Sequence, residues 1–250
     1  MDVSTTTQAV LSWNINGGLL VKIPVIKGLL SNCDVLCLQE HFLTSHSLGL
    51  LKIDNNFTSY SVPAKRSASS GRPSGGIAML VRTSCRSSIF DSCDFFLAVR
   101  VKEYVIVDVY LPTDYRNNRS EFLFTSACEK LGSCLSKIRL LGKCCIIIGD
   151  FNCNLTDASL LRTSILSGIF DDWLRILPNN LYYTYTHHSS HVSNLDHAVS
   201  SINLQVSPVS NYQTTFQYLH LFIALCSVYS HYTATSAPRP FLQGFGKYPR

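Results

Sequence analysis

Strands that alternate with helices along the whole chain predict an α/β sandwich folded as a single domain. Three observations carry that reading. The runs Asp34-Val35-Leu36-Cys37-Leu38-Gln39-Glu40 and Cys144-Cys145-Ile146-Ile147-Ile148-Gly149-Asp150 are apolar until their last residues, as in strands buried on both faces. The 250 residues fit one large domain, with no repeat and no linker dividing them. Hydrophobic residues make up 46% and charged ones 15%, too apolar for a disordered chain and too lightly charged for a coiled coil.

The elements follow in order. Ala9 to Asn14 reads as a strand that ends in the turn signal Asn14-Ile15-Asn16-Gly17-Gly18. Leu19 to Ser31 has helix-like apolar spacing, and Asp34 to Glu40 is a second strand. Ser67 to Gly76 is a Ser/Gly/Pro loop leading into the strand Ile77 to Val81. Phe95 to Val101 and Tyr104 to Leu111 read as neighbouring strands joined through Lys102-Glu103. Ser120 to Leu140 is helical, with Glu121 near its start and Lys137 and Arg139 near its end, as the helix dipole favours. After the strand ending at Asp150, Asp157 to Phe170 reads as a helix, with Asp171 to Leu174 as its continuation or a loop. Tyr182 to Thr186 and Leu195 to Ser200 read as late strands. Residues 9–230 form the expected domain, and 231–250, without periodicity and rich in Pro and Gly, a flexible tail of altered frame or truncated coding.

Composition narrows the partners. The net charge of +5 is compatible with a polyanion without demanding one. The longest apolar candidate, Leu219 to Tyr229, is eleven residues long and holds His220, short of the roughly 18 a membrane helix needs. The first residues lack a basic region followed by an apolar core, so an intracellular chain, nuclear or cytoplasmic, is expected. The ten Cys lie in apolar runs without C-x-x-C or zinc-finger spacing and are expected to be reduced and buried.

Only four of the sixteen acids are Glu, and strand ends deliver a select few. Asn14 and Asn16, then Glu40, then Asp150 and Asn152 stand where α/β sheets bind ligands, beyond the carboxyl ends of strands. Two carboxylates with neutral amides are a hard oxygen donor set that suits Mg²⁺. Any one of these residues alone reads as a turn cap; together they favour a site. Tyr110 reads equally as a half-buried strand aromatic, Asp196 as a turn residue and His197 as a packed one. The histidines of Thr186 to His191 lack i, i+4 geometry and carboxylates, so a solvated or nucleic-acid-facing loop is expected there. Lys65, Arg66, Arg72 and Arg82 surround the Ser/Gly loop, either tracking a DNA backbone or forming a solvated basic face.

Trp13-Asn14-Ile15-Asn16-Gly17, Asp34 to Glu40, Gly75-Gly76-Ile77-Ala78, Val109-Tyr110-Leu111-Pro112, Gly149-Asp150-Phe151-Asn152 and Asn194-Leu195-Asp196-His197 occur in the order of the endonuclease/exonuclease/phosphatase superfamily. More narrowly, the chain resembles the apurinic/apyrimidinic-like endonuclease domain of non-LTR retrotransposons. The resemblance implies a four-layer, DNase I-like α/β sandwich. It also implies Mg²⁺-dependent (Mn²⁺ as substitute) phosphodiester hydrolysis by a monomer that nicks DNA to leave a 3′-hydroxyl. Carried over by position, Glu40 and Asn16 would bind the metal. Asp150 would orient or deprotonate the attacking water, and Asn152 would hold phosphate or that water. Asn14 would support the network, Tyr110 would contact the scissile phosphate, and Asp196 would complete the acidic set. His220 would contact the phosphate, and Lys65, Arg66 and Arg72 would bind DNA. A full-length element would carry a reverse transcriptase region beyond this one.

The sequence departs from the superfamily's Ser-Asp-His signature, since Tyr218-Leu219-His220 stands in its place. In a serine-protease triad, loss of the carboxylate that orients histidine costs about 10⁴ in turnover, so an impaired nuclease is one expectation. The rivals are a catalytically dead nucleic-acid-binding relative and a phosphoester phosphatase of the same superfamily.

Overall fold

The computed structural model describes residues 6–66, 71–113, 118–155, 161–176, 185–186, 192–193, 195–204, 206–208 and 221–228. The first half contains β1 (Thr6–Asn14), α1 (Leu19–Leu30), β2 (Val35–Gln39), β3 (Phe57–Val62), β4 (Ile77–Arg82), β5 (Ser87–Cys93), β6 (Phe96–Val101) and β7 (Tyr104–Tyr110). The second contains α2 (Asn118–Leu140), β8 (Cys144–Asp150), α3 (Leu161–Phe170), β9 (Leu174–Ile176), β10 (Tyr185–Thr186), β11 (Val192–Ser193), β12 (Asp196–Ser201), β13 (Val206–Pro208) and β14 (Leu221–Val228).

Among the described residues two six-stranded mixed sheets form, ordered β13-β14-β1-β2-β4-β3 and β5-β6-β7-β8-β12-β9, with β10 and β11 as a separate ribbon. Alternation of side chains along each strand then builds four layers. In the first sheet Val10, Val35, Cys37 and Met79 point inward, onto Val99, Ile106, Ile146 and Ile148 of the second. Leu11, Trp13, Leu36 and Leu38 point outward, under Ile26, Leu29 and Leu30 of α1. The outer face of the second sheet, with Val105, Val107, Cys145 and Ile147, packs under Phe124, Leu131 and Leu135 of α2 and Leu166 of α3. Both faces of β2 and β4 are therefore buried, which is why those segments read as unbroken apolar runs. The expected four-layer sandwich is the one found.

The cysteines behave as small hydrophobes. The nine from Cys33 to Cys153 are free, and burial pushes the thiols of Cys33, Cys128, Cys134, Cys145 and Cys153 up to about 12, so they stay protonated and inert.

Several elements differ from the sequence reading. The half-exposed strands β3 and β5 carry no clean apolar alternation and were not anticipated. Trp173 closes a short 3₁₀ turn, and Leu174 opens strand β9 against β12 rather than extending the helix. The apolar run after residue 220 is a sheet strand, with β14 pairing antiparallel along β1 from Thr6↔Val228 to Trp13↔Leu221. The helix expected from Asp157 is described from Leu161 and the strand expected from Tyr182 from Tyr185. The predicted tail, 231–250, lies outside the described residues.

Candidate active site

Parallel pairing sets the site. β1 and β2 run parallel with Asn14 opposite Gln39, and β7 and β8 run parallel with Tyr110 opposite Asp150. β12 enters antiparallel, with Asp196 opposite Asp150. The polar ends of strands from both sheets thus meet at one edge of the sandwich. Gly149 permits the close approach of β7 and β8 there. Its φ is 137°, and a Cβ would stand 2.2 Å from the Val109 carbonyl oxygen.

Asn14 joins the two sheets chemically. Its Nδ2 donates to Glu40 Oε1 at 2.9 Å and to Asp150 Oδ2 at 2.9 Å, while its Oδ1 accepts the Asn16 backbone N–H at 3.0 Å. Asp150 Oδ1 accepts the Asn152 N–H at 2.8 Å, and Asn152 Nδ2 donates to the Leu111 carbonyl at 2.7 Å. The backbone closes the arrangement, because Leu111 N donates to Asp150 O and Phe151 N to Leu195 O. Asn14, Glu40, Asp150, Asn152, Tyr110 and Asp196 therefore lie together, as the motif order implied.

Electrostatically the pair of carboxylates is unbalanced. Burial raises Asp150 to about 7, helped by the Glu40 charge and only partly opposed by the bonds from Asn14 and Asn152. Two adjoining carboxylates share one amide as donor, and a hard cation between them would favour both charged forms. Among the described residues no three His, Cys, Asp or Glu side chains stand close enough to cage a metal. The donor set fits a cation that takes one or two carboxylates and keeps several waters, as Mg²⁺ does.

Four of the six described non-glycine residues with positive φ lie around this centre: Asn16 (42°), Glu40 (55°), Phe42 (58°) and Asn152 (49°). For Glu and Phe that conformation costs roughly 1 kcal/mol or more each. The structure around them enforces it. Gly17 N donates to the Glu40 carbonyl and Phe42 N to the Gly75 carbonyl, and the Phe42 ring fills the space where a Gly17 Cβ would be.

The basic candidates separate by geometry. Arg72 stands at the site, donating to Asn16 Oδ1 at 3.2 Å and stacking 4.1 Å from the Phe42 ring centroid. Asn16 thus faces an arginine at the exposed rim. Lys65 forms an exposed ion pair with Asp94, and Arg66 is exposed nearby. Arg82 lies at the opposite end of β4, bonded to Leu30 O, Cys33 O and Asp34, and belongs to the scaffold. His197 is buried against Phe151, with Nε2 between Cys153 O and Leu155 N, the packed role anticipated for it. His220 and Leu219 lie outside the described residues, as do residues 187–191 of the histidine-rich loop.

Other participants carry no motif. Lys22 of α1 donates to the carbonyls of Ile15 and Gly17 and holds the Asn14–Gly18 turn. Beneath the site, Gln39 donates to Ser12 and to Asp108, both buried, and burial holds the Asp108 carboxyl well above its ordinary range. An Asp amid Val-Ile-Val-Asp-Val was the available signal for this link between the sheets.

Comparison with known proteins agrees with this geometry. The family model described as the endonuclease/exonuclease/phosphatase family matches residues 11–214, while no curated protein matches. Among solved structures, the 3′-5′ exonuclease NExo from Neisseria meningitidis superposes with a TM-score of 0.66 at 16% identity, covering 88% of this chain and 99% of that one. An AP endonuclease from Archaeoglobus fulgidus gives 0.61 at 12% identity over 88% and 99%. The catalytic domain of Xenopus laevis APE2 gives 0.62 at 15% identity over 88% and 91%. The chain belongs to the endonuclease/exonuclease/phosphatase family of DNase I-like sandwiches and, with it, to the hydrolases of phosphodiester and phosphoester bonds.

Proposed function

We propose that this chain is a Mg²⁺-dependent DNA endonuclease of the retrotransposon type, which nicks a strand to leave a 3′-hydroxyl. The observation that carries the reading is the Asn14 amide gripping Glu40 and Asp150 together at 2.9 Å each. Glu40 and Asn16 would hold the metal, Mn²⁺ substituting for Mg²⁺. When bound, that metal would stabilise charge developing on the phosphate.

The remaining roles belong to the chain itself. A carboxyl with a pKa about 7 is poised to take a proton near neutrality, so Asp150 accepts the proton of the attacking water. Asn152 holds the phosphate or the water, Tyr110 contacts the phosphate and Asp196 supports the acidic end of β12. Arg72, exposed and stacked on Phe42, meets the DNA backbone, with Lys65 and Arg66 further along the same rim. The substrate is chromosomal DNA, which favours a nuclear location, and a reverse transcriptase partner would use the product.

A second reading, binding of nucleic acid without turnover, is favoured by Leu219 where the superfamily has Asp. Restoring Leu219→Asp separates the two. A rise in cleavage by orders of magnitude identifies a nuclease impaired at that position, and no gain from an inactive protein favours the binding module.

A further inference from the structure

A guanidinium taken out of water costs several kcal/mol unless its donors are filled. Arg162 is buried, at 6% exposure, the one lysine or arginine among the buried residues described. Nothing in the sequence around it, Leu161-Arg162-Thr163-Ser164-Ile165, marks it out. Its donors are spent on two places. Nε and Nη2 reach Glu121 Oε1 of α2 at 3.2 and 3.0 Å, and Nη1 donates to the Pro112 carbonyl at 2.7 Å, with Nη2 3.5 Å from the Thr113 carbonyl. The guanidinium carbon also stacks 4.3 Å from the Phe124 ring centroid.

Pro112 lies two residues after Tyr110, and the carbonyl before it, of Leu111, receives Asn152 Nδ2. The segment gripped by Arg162 is therefore the one that bonds Asn152 and continues from Tyr110. The next residue of the helix holds the other loop, since the buried Thr163 donates from Oγ1 to the Asn154 carbonyl at 2.7 Å. The first turn of α3 thereby clamps both segments that leave β7 and β8 at the site.

We propose that Arg162 is a positioning residue for phosphodiester cleavage, fixing Leu111-Pro112-Thr113 so that Tyr110 and Asn152 stand in register with Asp150. It touches neither substrate nor metal, and its effect passes through the Leu111 carbonyl. A guanidinium suits the place because its rigid planar fork presents Nε and Nη2 to Glu121 and Nη1 to the Pro112 carbonyl from separate edges, a fixed spread that a single ammonium nitrogen does not reproduce. This inference rests on the site being a phosphodiesterase site, and misplacement by about 1 Å there costs on the order of 10²-fold.

The test compares Arg162→Lys, Asn152→Ala and the double variant, each checked for cooperative unfolding, in Mg²⁺-dependent plasmid nicking. The expected result is a folded Arg162→Lys that loses about 10–100-fold in kcat with KM little changed. The double variant should then lose less than the product of the two single losses, because Arg162 acts in part through the placement of Asn152. Arg162→Lys cleaving as the wild type does, or losses that multiply in the double variant, would overturn the proposal. A hydrogen-exchange comparison separates this inference from the functional reading, because it needs no turnover. In Arg162→Lys, protection should fall at the amides of Leu111, Phe151 and Asn152 and persist in β1 and β2. Unchanged or globally lost protection overturns the positioning role, whereas a wild type that does not nick while protection falls locally overturns only the nuclease.

Discussion

The two ends of the sandwich are built on opposite terms. At the end that carries the site, Glu40 and Phe42 hold left-handed backbone angles, Asp150 is buried beside another carboxylate, and one amide serves both acids. At the far end, Arg82 donates to two carbonyls and to Asp34, and Asp34 also accepts the Ala9 N–H at 3.1 Å. There the partners of Arg82 are two carbonyls and a carboxylate, and only two of the six described non-glycine residues with positive φ, Lys102 and Asp171, lie away from the site. Strain and charge frustration gather where chemistry is to be done, and the opposite end supplies the rigidity that holds them. Changes at the site end should alter turnover more than stability, and changes at the far end the reverse.

The largest departure should come from Asn14→Ala. Removing the shared donor leaves Glu40 and Asp150 without their common partner, and turnover should fall about 10²–10³-fold while the thermal unfolding midpoint moves by only a few degrees. A loss of folding equal to the loss of turnover would erase the distinction between the ends.

Asp150→Asn sharpens the comparison through pH. The folded protein holds the Asp150 proton up to about pH 7, against 3.8 for the unconstrained group. The stability this group contributes is full below about pH 4 and is lost as pH rises through 7. Asn cannot ionise, so the variant should lack about one proton's worth of that decline, roughly 1.4 kcal/mol per pH unit between the two values. Unfolding midpoints measured from pH 4 to 8 decide it. Part of the decline should survive in the variant, because Asp108 is raised by burial too. Identical slopes would mean that Asp150 is ionised throughout.

At the far end, Arg82→Met strips the Leu30 and Cys33 carbonyls of their donor and should cost about 1–2 kcal/mol in denaturant unfolding. The kcat of the folded fraction should be unchanged. The smallest effect belongs to Lys65→Ala. Its pair with Asp94 is exposed and worth little stability, but a DNA-backbone role predicts that the slope of log affinity against log salt falls by about one. An unchanged slope removes Lys65 from the interface.

Much of this was legible in the sequence for a simple reason. A strand buried on both faces must be apolar throughout, so a Glu or Asp at its end stands out, and Glu40 and Asp150 announced themselves. The turn signal at Asn16-Gly17 reported the tight backbone on that side of the site, while the close approach that Gly149 permits was seen only in the structure. What escaped lacks a local pattern. β3 and β5 mix exposed and buried positions, and β14 reads only as an apolar run until its pairing with β1 is seen. Arg162 is one basic residue in a helix otherwise like its neighbours, and only tertiary structure shows that its Nε, Nη1 and Nη2 reach Glu121 and the Pro112 and Thr113 carbonyls. Arg82, grouped by sequence with the basic rim, lies at the other end because β4 carries it there.

Supercoiled-plasmid nicking by the intact chain, with Mg²⁺, with EDTA and with Glu40→Ala and Asp150→Ala alongside, tests the central claim most directly. The account predicts nicking that requires the metal and falls by at least about 10³-fold in both variants while they remain folded. Nicking that persists in EDTA or in either folded variant would contradict it.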